Sequence, residues 1–515
     1  MTFAKQFVAE YSDEIAIQDD RQTLSWDQVD DVLNRCANAL QAADLGPGNR
    51  IAVFAENTVE TALANLGGLV AGASVVPVNF HLAAEEVAYI LSDSEARVLF
   101  VGPETAERGI AAAAQSNVHT VIGWGDAGAA TPWVDWLADS SADEPDQTVP
   151  PRPNLLYTSG TTGRPKGTEL PPTMFAGGET VDEHLDRFKA AALERSAGIR
   201  GPQLVVGPMY HTGPLSATRQ LIGGIPSVIL GRFNAENTLA AIDKHKIVST
   251  LMVPTHFVRL LALPDDIKAK YDISSVLSIS HTGSKCPVDV KRAMIDWFGT
   301  VFMDAYGASE VGTTCLIHSD EWLKYPGSVG KAIPPFTAMI LDDDNNELPP
   351  NTEGRLFFKD ATGRGVIYHS DPEKSAAAHI APGVFTLGEI AYMNEEGYVF
   401  ITDRFSDMVV SGGVNIYPAE AEQVLIDHPA VLDVACIGVP NKDMGEELKA
   451  LVIANPDAET PDPEVMIAWC RERLSHYKCP RSLDYVEDVG RNTMGKVNKR
   501  KLRAPYWEGQ SSGAS

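Results

Sequence analysis

At 515 residues, with 44% hydrophobic and 22% charged side chains, the chain is long enough for two or more domains with sizeable cores, and its ordinary composition excludes wholesale disorder or a fibrous class. Its 69 Asp and Glu outnumber 42 Lys and Arg, giving a formal net charge of -27. A field of that sign disfavours non-specific binding to nucleic acid or anionic membrane, so any phosphate-bearing ligand needs a locally basic site.

Cys36, Cys286, Cys315, Cys436, Cys470 and Cys479 are scattered without a CxxC pair, the pattern of reduced core or pocket thiols rather than of a disulfide framework or zinc site. Residues 1–14 carry interspersed charge and no long apolar run, so no secretory signal is expected. The most apolar stretch, 66–80, is broken by Gly67, Gly68, Gly72 and Pro77 and falls short of the roughly 20 residues that span a membrane. A soluble, cytoplasmic protein is expected.

In chain order, Val29, Val32, Leu33, Cys36, Ala37 and Leu40 recur at helical spacing over 27–43, and Gly46-Pro47 ends that helix. Strands over 51–55, 75–78 and 98–101 then alternate with helices over 59–70 and 84–91, which predicts βα units on a largely parallel sheet. Residues 125–152, rich in Ala, Asp, Ser and Pro, read as a loose connection. A second βα region follows, with strands over 204–206, 227–230 and 248–253 and helices over 235–245 and 287–298. From 329 to 398 short strands punctuated by turns suggest a small β-rich subdomain, and past Arg404 lies a compact α/β unit of ordinary domain size.

Between the first two regions stands Tyr157-Thr158-Ser159-Gly160-Thr161-Thr162-Gly163-Arg164-Pro165-Lys166-Gly167. Its glycines allow close backbone approach, its hydroxyls add donors and Lys166 adds charge, a composition suited to the triphosphate of ATP. It is not a Walker A loop, because Lys166 follows Pro165 and precedes Gly167. Asp304-Ala305-Tyr306-Gly307-Ala308-Ser309-Glu310 offers an aromatic that can stack on a purine and, in Glu310, a carboxylate of the kind a hard Mg²⁺ shares with phosphate oxygens.

The first of these runs resembles the phosphate-loop signature of the acyl-adenylate-forming superfamily of AMP-dependent synthetases and ligases, which includes acyl-CoA synthetases, aryl-CoA ligases, firefly luciferase and the adenylation domains of peptide synthetases. Further matches follow in the family's order from about Leu155 to Lys496. The resemblance implies that Thr158, Ser159, Gly160, Thr161, Thr162, Gly163 and Lys166 hold the phosphates, that Thr158 and Glu310 hold Mg²⁺, and that Gly283 and Ser284 lie against adenine with Asp304, Ala305, Tyr306, Gly307 and Ser309. It implies that Glu389 accepts the ribose hydroxyls, that Arg404 reaches ribose or phosphate, and that His211 borders the acyl pocket. Ser411, Gly412 and Gly413 would line the pantetheine tunnel, and Lys496 would be the adenylation lysine, contacting the carboxylate and α-phosphate as charge develops. The chain departs from the family pattern at Lys285, where proline is common, at Ser309 for threonine, and at Val384, Leu387 and Glu389 in place of Trp, Thr and Asp.

The implied fold is α/β: a large N-terminal domain over 1–403, made of βα-layered subdomains plus the β-rich subdomain, a hinge over 404–407, and a small mobile C-terminal α+β domain over 408–515. The implied activity is an ATP- and Mg²⁺-dependent acyl-CoA synthetase with CoA as co-substrate. Small or apolar residues His211, Thr212, Gly213, Ile222, Gly223, Gly224, Val311, Gly312 and Thr313 are expected around the acid, favouring a bulky apolar acid of fatty, steroid-side-chain or aromatic type. A carrier-protein acceptor, a non-catalytic nucleotide or acyl binder, and a homodimeric assembly stay open on the sequence.

Overall fold

The computed structural model describes residues 3–11, 14–158, 165–195, 200–283, 286–342, 344–369, 371–404, 409–490, 497 and 499–508. The first helix of the βα region, Trp26–Ala42, starts where the Ser25 hydroxyl accepts the Gln28 amide while the Gln28 side chain accepts the Ser25 N–H, a reciprocal cap. Its apolar stripe buries Val29, Leu33, Cys36, Ala37 and Leu40 against helix Val59–Val70. Gly67 is required at that crossing, since a Cβ there would stand 2.3 Å from Cys36 Sγ.

Strands Ser74–Pro77, Arg50–Phe54, Val98–Val101, Thr120–Gly123 and Thr131–Pro132 pair in that order, all parallel, as the βα alternation predicts. The loose connection expected over 125–152 is not loose. It contains helix Trp133–Ala138, whose Trp133 enters the core beside Phe100, and its later carbonyls accept amides from Asn34, Asn38 and Gln41. Ala-, Asp- and Ser-rich composition hid a segment ordered by tertiary contacts.

The second βα region builds a nine-stranded sheet. Strands Gln203–Val205, Ser249–Met252, Ser278–His281 and Phe302–Ala308 are parallel neighbours, and Gly312–His318 turns back antiparallel to the last of them. One face is covered by helices Ala235–His245, Pro254–Leu261 and Val288–Phe298 through Ile242, Phe257, Ile279 and Met294. On the other face, Val205 and Ile229 pack into the N-terminal core, whereas Ser249, Leu251, Ser278, Ser280 and Met303 stay half-buried and open onto a cleft. The β-rich subdomain is a six-stranded sheet around Phe336, Phe358 and Phe385.

The fold is thus α/β with a large N-terminal and a small C-terminal domain. The small one is a five-stranded sheet in which Val431–Asn441, at one edge, and Gly445–Ala454 form the longest pair. It docks through Lys478, buried between Glu86 of the large domain at 2.7 Å and Glu420 of the small one at 2.8 Å, while Tyr477 accepts from Asn79 at 3.0 Å. Burial alone would lower the Lys478 pKa, but the two carboxylates outweigh it and raise it. All six cysteines are buried and free. Among the described residues no helix is long and apolar enough to cross a membrane and no cluster of three or more metal-ligating side chains occurs.

Burial pushes His184 down to about 4, His256 to about 3 and His281 to about 4. Folded, they stay neutral well below 6.5, where the unfolded chain protonates them, so unfolding takes up protons and stability is lost as the pH is lowered, by at most about 1.4 kcal/mol per unit per group. Urea midpoints are therefore expected to drop steadily from pH 7 to pH 5; a flat profile would count against these neutral burials.

Candidate active site

A cleft of about 1900 Å³ opens at the carboxyl ends of the parallel strands, bounded by the nine-stranded sheet, the β-rich subdomain and the small domain. The phosphate-loop run spans a hairpin: strand Leu155–Thr158 pairs antiparallel with Lys166–Glu169, setting Thr158 opposite Lys166. Ser159, Gly160, Thr161, Thr162 and Gly163, together with Ser284, Lys496 and hinge residues 405–407, lie outside the described residues, as do the side chains of Thr158 and Arg404.

Lys166 stands just outside the cleft lining in close contact with the carboxylate of Asp371, which also caps helix Pro372–Ala377 by accepting the Lys374 amide at 3.0 Å. Beside this pair are Lys374, whose pKa is lowered by burial and then by Lys166, and Tyr368, which bonds to the Glu310 carboxylate. Glu310 itself is buried at the cleft wall, and Arg364 donates to its carbonyl at 3.1 Å. Sequence reading singled out none of Arg364, Tyr368, Asp371 or Lys374. They follow Glu310 by more than fifty residues in an ordinary polar stretch, and only the fold of the β-rich subdomain returns them to it.

Strand Phe302–Ala308 carries Asp304, Ala305, Tyr306 and Gly307 along the cleft wall, with Ser309 and Gly283 beyond the strand ends. The Tyr306 hydroxyl donates to Glu389 Oε2 at 2.7 Å, so the aromatic and the acid assigned to purine and ribose are joined to each other. Arg404 is the strand partner of Glu389. Gly307 must be glycine, because a Cβ would stand 1.9 Å from the Gly312 carbonyl oxygen where the hairpin closes. Behind Asp304 lies a feature the sequence did not announce. Lys291, fully buried, reaches Asp304 Oδ2 at 3.2 Å and His281 Nε2 at 2.6 Å. Burial lowers both Lys291 and His281; the neutral imidazole accepts from the ammonium at Nε2, leaving Nδ1 without a partner among the described residues.

His211 presents its exposed ring to the cleft beside Tyr210, and desolvation followed by the nearby His81 lowers its pKa, so it is neutral at physiological pH. Its neighbour Thr212 bonds to Ser309 at 2.9 Å, tying the two motifs together. Of the expected pocket residues, His211, Thr212, Gly213, Gly312 and Thr313 line the cleft. Ile222, Gly223, Gly224 and Val311 do not. Ile222 is core, Gly223 faces Ala192, Gly224 faces Phe7, and Val311 packs into the β-rich core, because the turn after helix Thr212–Thr218 folds back on the N-terminal helices. The floor the sequence reading missed consists of Ser249 and Ser278, which are register partners, with Leu251, Ser280 and Met303. None of the three serine hydroxyls bonds to a described residue.

From the small domain, Gly412 and Gly413 turn the hairpin Val409–Ser411 to Val414–Ile416 with φ of +60° and +82° and line the cleft against Met444 and Val253. Ser411, expected with them, is instead buried in the strand. The locally basic site expected from the net charge is a mixed one. Arg232, Arg259 and Arg503 line the mouth, but each faces an acid: Glu56 at 2.6 Å, Asp443 at 3.5 Å and Glu446 at 3.7 Å.

A two-domain α/β chain with a cleft between its large and small domains has the architecture of the acyl-adenylate-forming enzymes. Comparison agrees: the model for AMP-binding enzymes matches residues 4–365 and that for the AMP-binding enzyme C-terminal domain matches 420–496, and the chain belongs to this family. The fatty acid–acyl-carrier-protein ligase ScoC of Streptomyces coeruleorubidus is 30% identical over 94% of this chain and 92% of its own. A 7a-methyl-1,5-dioxo-octahydro-1H-inden-4-yl propanoyl:CoA ligase of Rhodococcus jostii is 31% identical over 97% of both. The amide bond synthetase McbA of Marinactinospora thermotolerans superposes with a TM-score of 0.83 at 23% identity, over 98% of this chain and all of its own, a likeness of fold.

Replacing Lys291 with Met strands the Asp304 charge and is expected to cost about 3–5 kcal/mol in urea denaturation, with most of it regained in the Lys291→Met, Asp304→Asn double variant. Asp371→Asn frees Lys166 from its carboxylate partner and is expected to lower KM for ATP up to about fivefold; an unchanged KM in steady-state assays would separate Lys166 from nucleotide binding.

Proposed function

We propose that this enzyme activates a hydrophobic carboxylic acid as acyl-AMP, releasing pyrophosphate, and passes the acyl group to the thiol of CoA. What supports this most is the convergence of Glu310, Tyr306, Glu389 and His211 from the large domain and Gly412 and Gly413 from the small one on a single cleft. On this reading the acid carboxylate, seated near His211, attacks the α-phosphate in line, so the gain comes from positioning and from offsetting charge. Lys166 and Lys374 offset phosphate charge. Tyr306 and Glu389 seat the nucleoside, and the Lys291 ammonium holds the Asp304 carboxylate in position behind it.

Mg²⁺ suits the donors present: Glu310 is a hard oxygen ligand at the phosphate end, and a magnesium site asks for only one or two carboxylates beside phosphates and water. Bound there, the ion would neutralise phosphate charge; Glu310 and Thr158 would hold it. Residues 1–403 and 408–515 act as the two domains with 404–407 as the hinge between the half-reactions, Lys496 serving the first and the Gly412-Gly413 turn the second. CoA is preferred as acceptor because that turn reaches the cleft beside Val253. The name of ScoC favours a carrier-protein thiol as the second reading.

Pyrophosphate release across a panel of acids, with and without CoA, tests the reading; no release with any acid would reject it, and release without thioester would reassign the acceptor. Lys496→Ala is expected to reduce acyl-AMP formation at least a hundredfold, roughly 2.7 kcal/mol or more, while sparing thioester formation from supplied acyl-AMP. Gly413→Val, strained by its positive φ and by Val253 at 3.1 Å from the new Cβ, should do the reverse.

A further inference from the structure

The cleft floor carries an unpaired polar row. Ser227, Gln203, Ser249 and Ser278 are register partners on four neighbouring parallel strands, so their side chains share one face of the sheet. Gln203, Ser249 and Ser278 line the cleft. In the next row towards the rim Leu251 and Met303 flank a single hydroxyl, Ser280, and no charged residue stands in either row.

Gln203 is 5% exposed, and its amide nitrogen is fully used: it donates to the Ala217 carbonyl and, at 2.9 Å, to Ser227 Oγ. A backbone carbonyl only accepts, which fixes the orientation of the amide and leaves Oε1 as its remaining hydrogen-bonding group. Oε1 accepts from no described residue, and the Ser249 and Ser278 hydroxyls bond to none either. A buried polar group without a partner is unfavourable. Neighbouring strands lie about 4.8 Å apart, so one ligand oxygen can stand at hydrogen-bond distance from two members of the row at once.

The roof fixes where that oxygen falls. Helix Thr212–Thr218 starts at the reacting end, and a Cβ on Gly213 would stand 3.0 Å from Leu251 Cδ1, so its first turn lies over Leu251. Four residues on, the Ala217 carbonyl takes the Gln203 amide. Four residues of helix rise about 6 Å, and the two strand residues from Leu251 back to Ser249 span about 6.6 Å. Helix and strand therefore agree that the polar row lies one pleat deeper than Leu251, away from the carboxylate activated beside His211.

We propose that Gln203, Ser249 and Ser278 form a subsite for an uncharged hydroxyl group that the acid carries at a position remote from its carboxylate. The hydroxyl donates to Gln203 Oε1 and accepts from a serine, whereas a keto oxygen would leave Oε1 unpaired and a carboxylate would set its lone pairs against it. The substrate class narrows to a hydroxylated acid, apolar where it passes Leu251 and Met303. This rests on the ligase reading for which group reacts, but not for binding itself.

The test uses the full-length enzyme without ATP and calorimetric titration with 6-hydroxyhexanoate, 8-hydroxyoctanoate and 10-hydroxydecanoate, each against the alkanoate of the same length, and with octanedioate. In at least one pair the hydroxy acid is expected to bind about tenfold tighter than its alkanoate, the gain of two modest hydrogen bonds. The Ser249→Ala, Ser278→Ala double variant should bind that hydroxy acid about fivefold more weakly and the alkanoate more tightly, because the alkyl chain no longer covers unpaired hydroxyls. A merely structural role for the serines would weaken both. A preference in none of the three pairs, a preference that survives in the double variant, equal weakening of both acids, or octanedioate binding as tightly as the best hydroxy acid would each overturn the assignment. Pyrophosphate release is measured separately: a serine-dependent preference for the hydroxy acid without release from any acid upholds the subsite and rejects the ligase reading, and release without any binding preference does the converse.

Discussion

The architecture depends on how the nine-stranded sheet is covered. Helices seal one face completely through Ile242, Phe257, Ile279 and Met294, but the N-terminal layer reaches only half of the other, over Val205 and Ile229. The uncovered half, from Ser249 across to Met303, becomes the floor of the cleft. Parallel strands end together, so the residues just beyond their carboxyl ends, Gly283 and Ser309 among them, collect at one rim. Binding in α/β sheets is expected at that rim, and the β-rich subdomain and small domain close over it.

Electrostatic compensation is the second organising feature. In a chain of net charge -27, cations near the cleft are met by acids at close range: Lys166 by Asp371, Arg232 by Glu56, Arg259 by Asp443. An anion entering the cleft would therefore compete with resident carboxylates for these cations. Lys291, fully buried, is spent inside the protein on Asp304.

The docking of the small domain follows the same rule. Lys478 lies between Glu86 and Glu420, so one buried cation bridges two domains. Such a contact is specific because breaking it leaves charge unpaired in a dry interface. It holds the Gly412-Gly413 turn against Val253.

The linear chain determined much of this. Apolar periodicity placed helix Val59–Val70 and strand Val98–Val101 residue for residue, because each pattern reflects which side faces a core. The family was legible in short runs whose chemistry is local, since a glycine-rich turn or an aromatic followed by a carboxylate carries its meaning in adjacent residues. Tertiary structure alone decided the rest. It returned Tyr368 and Lys374 to Glu310, set Lys291 behind Asp304, and turned Ile222 and Val311 away from the cleft. Whether a charged side chain is solvated, paired or stranded depends on what the remainder of the chain packs against it, and that information is not carried by its neighbours in sequence.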